Sequence, residues 1–160
     1  PERAIARRIL QSSPARYVRC DLFPSDSHVE RVDMLAMPFE DASVDLLIAN
    51  HVLEHVADDL RALDEIRRIL KPGGRAILQT PYSTKLSVTW SDVGITDDEA
   101  RLHAYGQEDH VRLYASDIFM RLSSCGLQPC IKKHNELLQH FDAITYGVNQ
   151  EEPFFLFNRL

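Results

Sequence analysis

The sequence has 160 residues, enough for one domain with a sizeable hydrophobic core. Its 44% hydrophobic and 26% charged residues are ordinary for a globular protein, and a formal charge of −6 disfavours nonspecific nucleic-acid binding, which relies on clustered Lys and Arg. No apolar run reaches membrane-spanning length and no signal-peptide pattern opens the chain, so a cytoplasmic location is expected, with Cys20, Cys125 and Cys130 as free thiols.

Residues 2–12 are predicted as an amphipathic helix with Ala4, Ile5, Ile9 and Leu10 inward. Pro1 and Glu2 suit its first turn, where proline lacks no needed donor and an acidic side chain favours the dipole. Because the chain starts at Pro1 and not at methionine, the sequence is expected to be N-terminally incomplete. Tyr17–Asp21 reads as a strand, residues 22–27 as a loop, and Val29–Val32 as a short edge strand. Pro38 and Phe39 then lead over the surface into the central stretch, Asp33 to Pro81.

That stretch contains a βαβ unit. Ser43–Ala49 is a short apolar run, the pattern of a strand buried on both faces. Leu60, Leu63, Ile66, Ile69 and Leu70 recur at helical spacing, and Lys71-Pro-Gly-Gly74 stops that helix. Arg75–Thr80 is a second strand, and the crossover between the two should be right-handed. Residues 82–113 hold no convincing strand and are read as an insertion or lid with one short helix at Asp97–Leu102. A helix over Asp117–Ser124, with Ser116 as N-cap, ends near Gly126. Gln128–Lys133 and Phe154–Phe157 are strands, with an ambiguous segment at 135–149 between them. Alternating helices and strands predict an α/β sandwich on a mostly parallel sheet, in a single domain over residues 1–160.

The central stretch resembles the class I S-adenosylmethionine (SAM)-dependent methyltransferases, in the type 11-like branch that reads D-x-x-x-L-P-F-x-D-x-S-x-D, a strand, H-V-L-E-H and R-x-L-K-P-G-G. Asp33, Pro38, Phe39, Asp41, Ser43, Asp45, His51 to His55, Arg68 and Leu70 to Gly74 match residue by residue, with Met37 replacing leucine. A looser likeness extends over Arg16–Asp21 and Gly106–Leu122. The resemblance implies a Rossmann-like sandwich with strand order 3-2-1-4-5-7-6 and a last antiparallel strand, here Phe154–Phe157. It also implies SAM as cofactor, S-adenosylhomocysteine as product, and methyl transfer to a small molecule; a homodimer is compatible with it. Strand 1 and its glycine-rich loop have no counterpart in the sequence. The strands Tyr17–Asp21 and Val44–Ala49 are therefore expected about 9–10 Å apart, two strand spacings, with another segment or chain between them.

In open α/β sheets ligands bind beyond the carboxyl ends of the strands. Asp21 is at such an end, and the resemblance gives it, with Leu22, the ribose hydroxyls. It gives Asp33 the adenine amine and the Met34 backbone the adenine ring. Asn50, His51, Val52 and His55 fall where the family holds the methionine part. His51-Val-Leu-Glu-His55 also fits H-x-x-E-H, an inverted zinc-peptidase motif. The family match explains the same residues, and spacing assigns no third ligand, so no metal is expected. Residues 103–114 offer His103, Tyr105, His110, Arg112 and Tyr114 as substrate contacts or a base, against an equal prospect that Asp109 and Arg112 only fix the loop. A noncatalytic binding module on the same fold is the alternative to an enzyme.

Overall fold

The computed structural model describes residues 3–160, which divide into two compact units, Pro1–Pro38 and Phe39–Leu160. In the first unit, α1 spans Arg3–Gln11; the expected start at Pro1 and Glu2 lies outside the described residues. Its inward face is turned from the expected one. Ala6 is the buried position, with Ile5 and Ile9 half-buried, whereas Ala4 and Leu10 are exposed. Leu10 lies one step, about 100°, past Ile9, which carries it over the rim of a narrow stripe.

The strand β1 is Cys20–Asp21 and β2 is Glu30–Arg31, paired in parallel with Cys20 opposite Glu30. Flanking bonds from Glu30 N–H to the Arg19 carbonyl (2.8 Å) and from Val32 N–H to the Asp21 carbonyl (2.9 Å) complete the ladder. Both strands are shorter than the Tyr17–Asp21 and Val29–Val32 segments expected, because regular pairing lasts only two residues.

The second unit is built on β3 (Val44–Ile48), β4 (Leu70–Ile77), β5 (Leu127–Pro129) and β6 (Leu156–Arg159), in the order β3-β4-β6-β5. β3 and β4 are parallel, and β6 runs antiparallel to both β4 and β5. The last strand is thus inserted antiparallel beside its neighbour, as the family resemblance implied. It begins two residues later than expected, with Phe154 in an isolated bridge to Lys132. β3 is not buried on both faces: Asp45 is exposed and Leu46 keeps 49% of its surface.

Between β3 and β4 lies α2 (Asp59–Ile69), started by Asp58, whose carboxylate accepts the Arg61 N–H at 3.0 Å. Ala62, Leu63, Ile66 and Ile69 are buried at the helical spacing that the sequence predicts, while Leu60 stays 43% exposed. Leu70 is buried as the first residue of β4, not as helix. The K-P-G-G run is likewise part of β4 and not a separate stop before it. The register steps from Val44–Leu70 to Leu46–Arg75, so the extra residues of β4 bulge out of the ladder. Gly73 takes φ +76° in this bulge, and a Cβ on Gly74 would lie 2.8 Å from the Lys71 carbonyl oxygen. Lys71 Nζ closes the bulge onto Asp45 at 2.8 Å.

Arg68 holds the D-x-S-x-D segment, donating to both Glu65 oxygens, to the Phe39 carbonyl and to Asp41. Residues 82–113 contain α3, Asp98–Tyr105, capped by Asp97 and ended by Gly106 in the left-handed region. Isolated bridges pair Trp90 with Leu113 and Tyr82 with Tyr114. Next, α4 covers Ile118–Ser123; its first-turn neighbour Ser116 is not the N-cap, since its hydroxyl donates to the Leu86 carbonyl at 2.6 Å. The short helices α5 (His134–Leu137) and α6 (Ala143–Tyr146) occupy the segment that the sequence leaves ambiguous. Ile118, Leu122, Leu127, Phe155 and Phe157 join the α2 residues in the core. Among the described residues no helix is long and apolar enough to cross a membrane.

Candidate functional site

The carboxyl ends of the strands carry the polar residues that sequence reasoning selects. Asp21 ends β1 exposed, its Oδ1 accepting the Phe23 N–H at 2.8 Å. Asp33, two residues beyond β2, repeats the device with the Leu35 N–H at 2.8 Å. Each turn takes one oxygen of a carboxylate that offers about four acceptor positions, so capacity for a ligand remains. Leu22 is 43% exposed and Met34 half-buried.

Past the end of β3, Asn50 Oδ1 is buried without a hydrogen-bond partner among the described residues. His51 follows at φ +53°, its N–H bonded to the Gln79 carbonyl at 2.7 Å and its ring largely exposed. H-V-L-E-H therefore does not form an α-helix. Leu53–His55 is a single 3₁₀ turn, and Val52 is half-buried before it. Within this turn Glu54 is buried; Thr80 Oγ1 donates to its Oε2 at 2.5 Å, and His51 Nδ1 lies 3.5 Å from Oε1.

The turn is held by a segment far along the chain. Arg112 is buried and donates to the carbonyls of Leu53 (2.7 Å), Val56 (2.5 Å) and Ala57 (2.8 Å). Val111 N–H bonds the Glu54 carbonyl at 2.9 Å. Arg112 and Arg121 both face Asp59, at 3.6 and 2.6 Å, and the Tyr114 hydroxyl donates to the same carboxylate at 2.8 Å. Burial works to raise the Asp59 pKa, but these partners outweigh it and hold the carboxyl below the ordinary range. Burial, with the Asp59 charge beside it, pushes the Tyr114 phenol well above its usual value.

Of the five residues singled out between 103 and 114, the fold brings His110, Arg112 and Tyr114 to the 3₁₀ turn and the start of α2. His110 is buried with its ring edge-on to His55 at 4.8 Å. The other two lie elsewhere. His103 is exposed on α3, 4.0 Å from Glu99, and the buried Tyr105 bonds the Asp92 backbone and packs on Trp90. Asp109, read in the sequence only as a loop-fixing residue, places its carbonyl and its carboxylate each 3.3 Å from His55 Nδ1. Sequence reasoning did not single out Thr80 or Asp59. An acidic residue in the first turn of α2 was the available signal for Asp59; Thr80 left none.

Residues 4–78 match the family described as a methyltransferase domain. An S-adenosylmethionine-dependent methyltransferase from Mesorhizobium loti superposes with a TM-score of 0.62 at 16% identity, over 96% of this chain and 85% of that one. The chain shares the fold of that methyltransferase. A second methyltransferase of this fold, the 1,6-didemethyltoxoflavin-N1-methyltransferase of Burkholderia thailandensis, was solved with 1,6-didemethyltoxoflavin and S-adenosylhomocysteine bound. It superposes with a TM-score of 0.65 at 14% identity, over 98% of this chain and 66% of that one. In sequence, an uncharacterized 37.1 kDa protein in transposon Tn4556 of Streptomyces fradiae is 40% identical over 68 residues, 42% of this chain. The chain spans only about a fifth of that relative's length, the match covering 20% of it.

Proposed function

We propose that the protein is a SAM-dependent methyltransferase that transfers a methyl group to a small-molecule acceptor by in-line displacement. The observation that carries this reading is the match of residues 4–78 to the methyltransferase-domain family, within which Asp21 ends β1, Asp33 follows β2 and Asn50 follows β3. SAM, when bound, supplies a methyl group on a sulfonium that is already activated for transfer. The chain's own residues then chiefly bind and align.

Asp21 would accept hydrogen bonds from the ribose hydroxyls, with Leu22 against the sugar. Asp33 would accept from the adenine amine and the Met34 backbone would meet the ring. The buried Oδ1 of Asn50 fits a donor on the amino-acid part of the cofactor, since a buried acceptor is normally paired. The backbone of His51 and Val52 would border the same part, with the His55 ring beneath. Tyr114 and Tyr105 commit their hydroxyls, and Arg112 its two terminal guanidinium nitrogens, to internal contacts, which supports a role in positioning segments over one on the acceptor. The net charge of −6 and the small molecule bound by the Burkholderia neighbour support a small acceptor over a nucleic acid.

Asp21→Ala in the full-length protein tests the assignment. Loss of two charge-assisted bonds should weaken SAM and S-adenosylhomocysteine binding by roughly 2–3 kcal/mol, about 30- to 150-fold. An unchanged dissociation constant would remove Asp21 from the site.

A further inference from the structure

We infer that Glu54, His55 and His110 form a binding site for a divalent first-row transition-metal ion of the zinc class. One ligand atom of each residue lies within 4.8 Å of the other two, so a carboxylate oxygen and two imidazole nitrogens converge on one spot. The set differs from the one that H-x-x-E-H spacing suggests. His51 stands outside it, exposed on its left-handed turn, and the third ligand comes from a different segment.

Two observations separate this cluster from a chance neighbourhood. His110 is only 6% exposed, and among the described residues its ring nitrogens make no hydrogen bond; its one ring contact is the edge-on approach to His55. The His110 ring nitrogens are therefore uncommitted among the described residues and free to take a cation. The supporting shell is the second. Metal-bound histidines commonly give their other ring nitrogen to a carboxylate or carbonyl, and bound carboxylates are themselves hydrogen-bonded. His55 Nδ1 meets the carbonyl and carboxylate of Asp109, each at 3.3 Å, and Glu54 Oε2 takes the Thr80 hydroxyl at 2.5 Å.

The segments bearing the ligands are fixed to one another by bonds that do not involve the ligand atoms. Val111 N–H bonds the Glu54 carbonyl, and Arg112 clamps the carbonyls of Leu53, Val56 and Ala57. Zinc–ligand distances of about 2.0–2.2 Å put tetrahedral ligands roughly 3.4 Å apart, so loading closes the widest pair by up to about 1.4 Å, within reach of side-chain rotation. Two imidazoles and one carboxylate suit zinc, cobalt, nickel or ferrous iron better than magnesium or calcium. Three protein ligands leave the fourth position for water or an acceptor group.

The test uses the full-length protein, stripped with a chelator, dialysed, and titrated with Zn²⁺ in the presence of a competing chromophoric chelator and separately with Co²⁺. One equivalent of Zn²⁺ per chain should bind, and Co²⁺ should develop the visible absorption of a nitrogen–oxygen site. His55→Ala and Glu54→Gln should each weaken Zn²⁺ at least tenfold, while His140→Ala, at an exposed histidine, should bind as wild type. His110→Ala should do the same as His55→Ala; if loss of its buried ring unfolds the chain, the half-buried His55 decides. Absence of stoichiometric Zn²⁺ binding by the wild type, or His55→Ala and Glu54→Gln binding like His140→Ala, would overturn the proposal.

Discussion

Asp59 is the residue on which the most buried charge converges. It is 1% exposed, and Arg121, Arg112 and Tyr114 all address its carboxylate. Asp59→Asn removes one charge and leaves two guanidinium groups facing a neutral amide, so it should destabilise the protein by about 3 kcal/mol, as for a broken buried pair. The pH dependence follows from the direction of the shift. The folded-state pKa lies below the unfolded one, so folding favours the ionised form. That contribution is fully present above the unfolded value of about 3.9 and fades as pH falls through the lower folded value. Tyr114 is shifted up, so its contribution is full below about pH 10 and fades as pH rises further. Urea unfolding of wild type and Asp59→Asn should thus show a wide stability gap near neutrality that narrows in acid. A gap independent of pH down to strong acid would contradict the assignment.

The clearest element-level test is the bulge at the start of β4. Gly74 has no room for a side chain: a Cβ there would meet the Lys71 oxygen at 2.8 Å, the Lys71 nitrogen at 3.1 Å and the Val44 oxygen at 3.1 Å. All three are backbone atoms of the β3–β4 ladder, which cannot rotate away as a side chain would. Gly74→Ala should therefore cost about 1–3 kcal/mol, the range for overpacking, by forcing the bulge against β3. An unchanged denaturation midpoint would show that the bulge relaxes freely. Local sequence made α2 readable because Leu63, Ile66 and Ile69 repeat at helical spacing and Asp58 begins the helix. The K-P-G-G run was legible as a break but not as a bulge, since only the pairing of Val44 with Leu70 draws it into the strand. The 3₁₀ turn at Leu53–His55 was not legible, because Arg112, 59 residues from Leu53, shapes it.

For the whole molecule, the α/β class followed from alternating patterns, whereas the antiparallel insertion of β6 came through the family resemblance alone. Period and composition place strands in a sheet but do not order them. The candidate site divides the same way. Asp21, Asp33 and Asn50 were selected because each closes a strand pattern at a position that the family resemblance gives to the cofactor. The meeting of Glu54 with Thr80, and of His55 with Asp109 and His110, joins residues 26 to 55 positions apart and leaves no mark on local periodicity. The central claim is that this chain binds the nucleoside cofactor of the methyltransferases whose fold it shares. Calorimetric titration of the full-length protein with S-adenosylhomocysteine tests it most directly. Saturable binding of one ligand per chain, displaced by SAM, is the predicted result; no heat, and no displacement by either ligand at millimolar concentration, would contradict it.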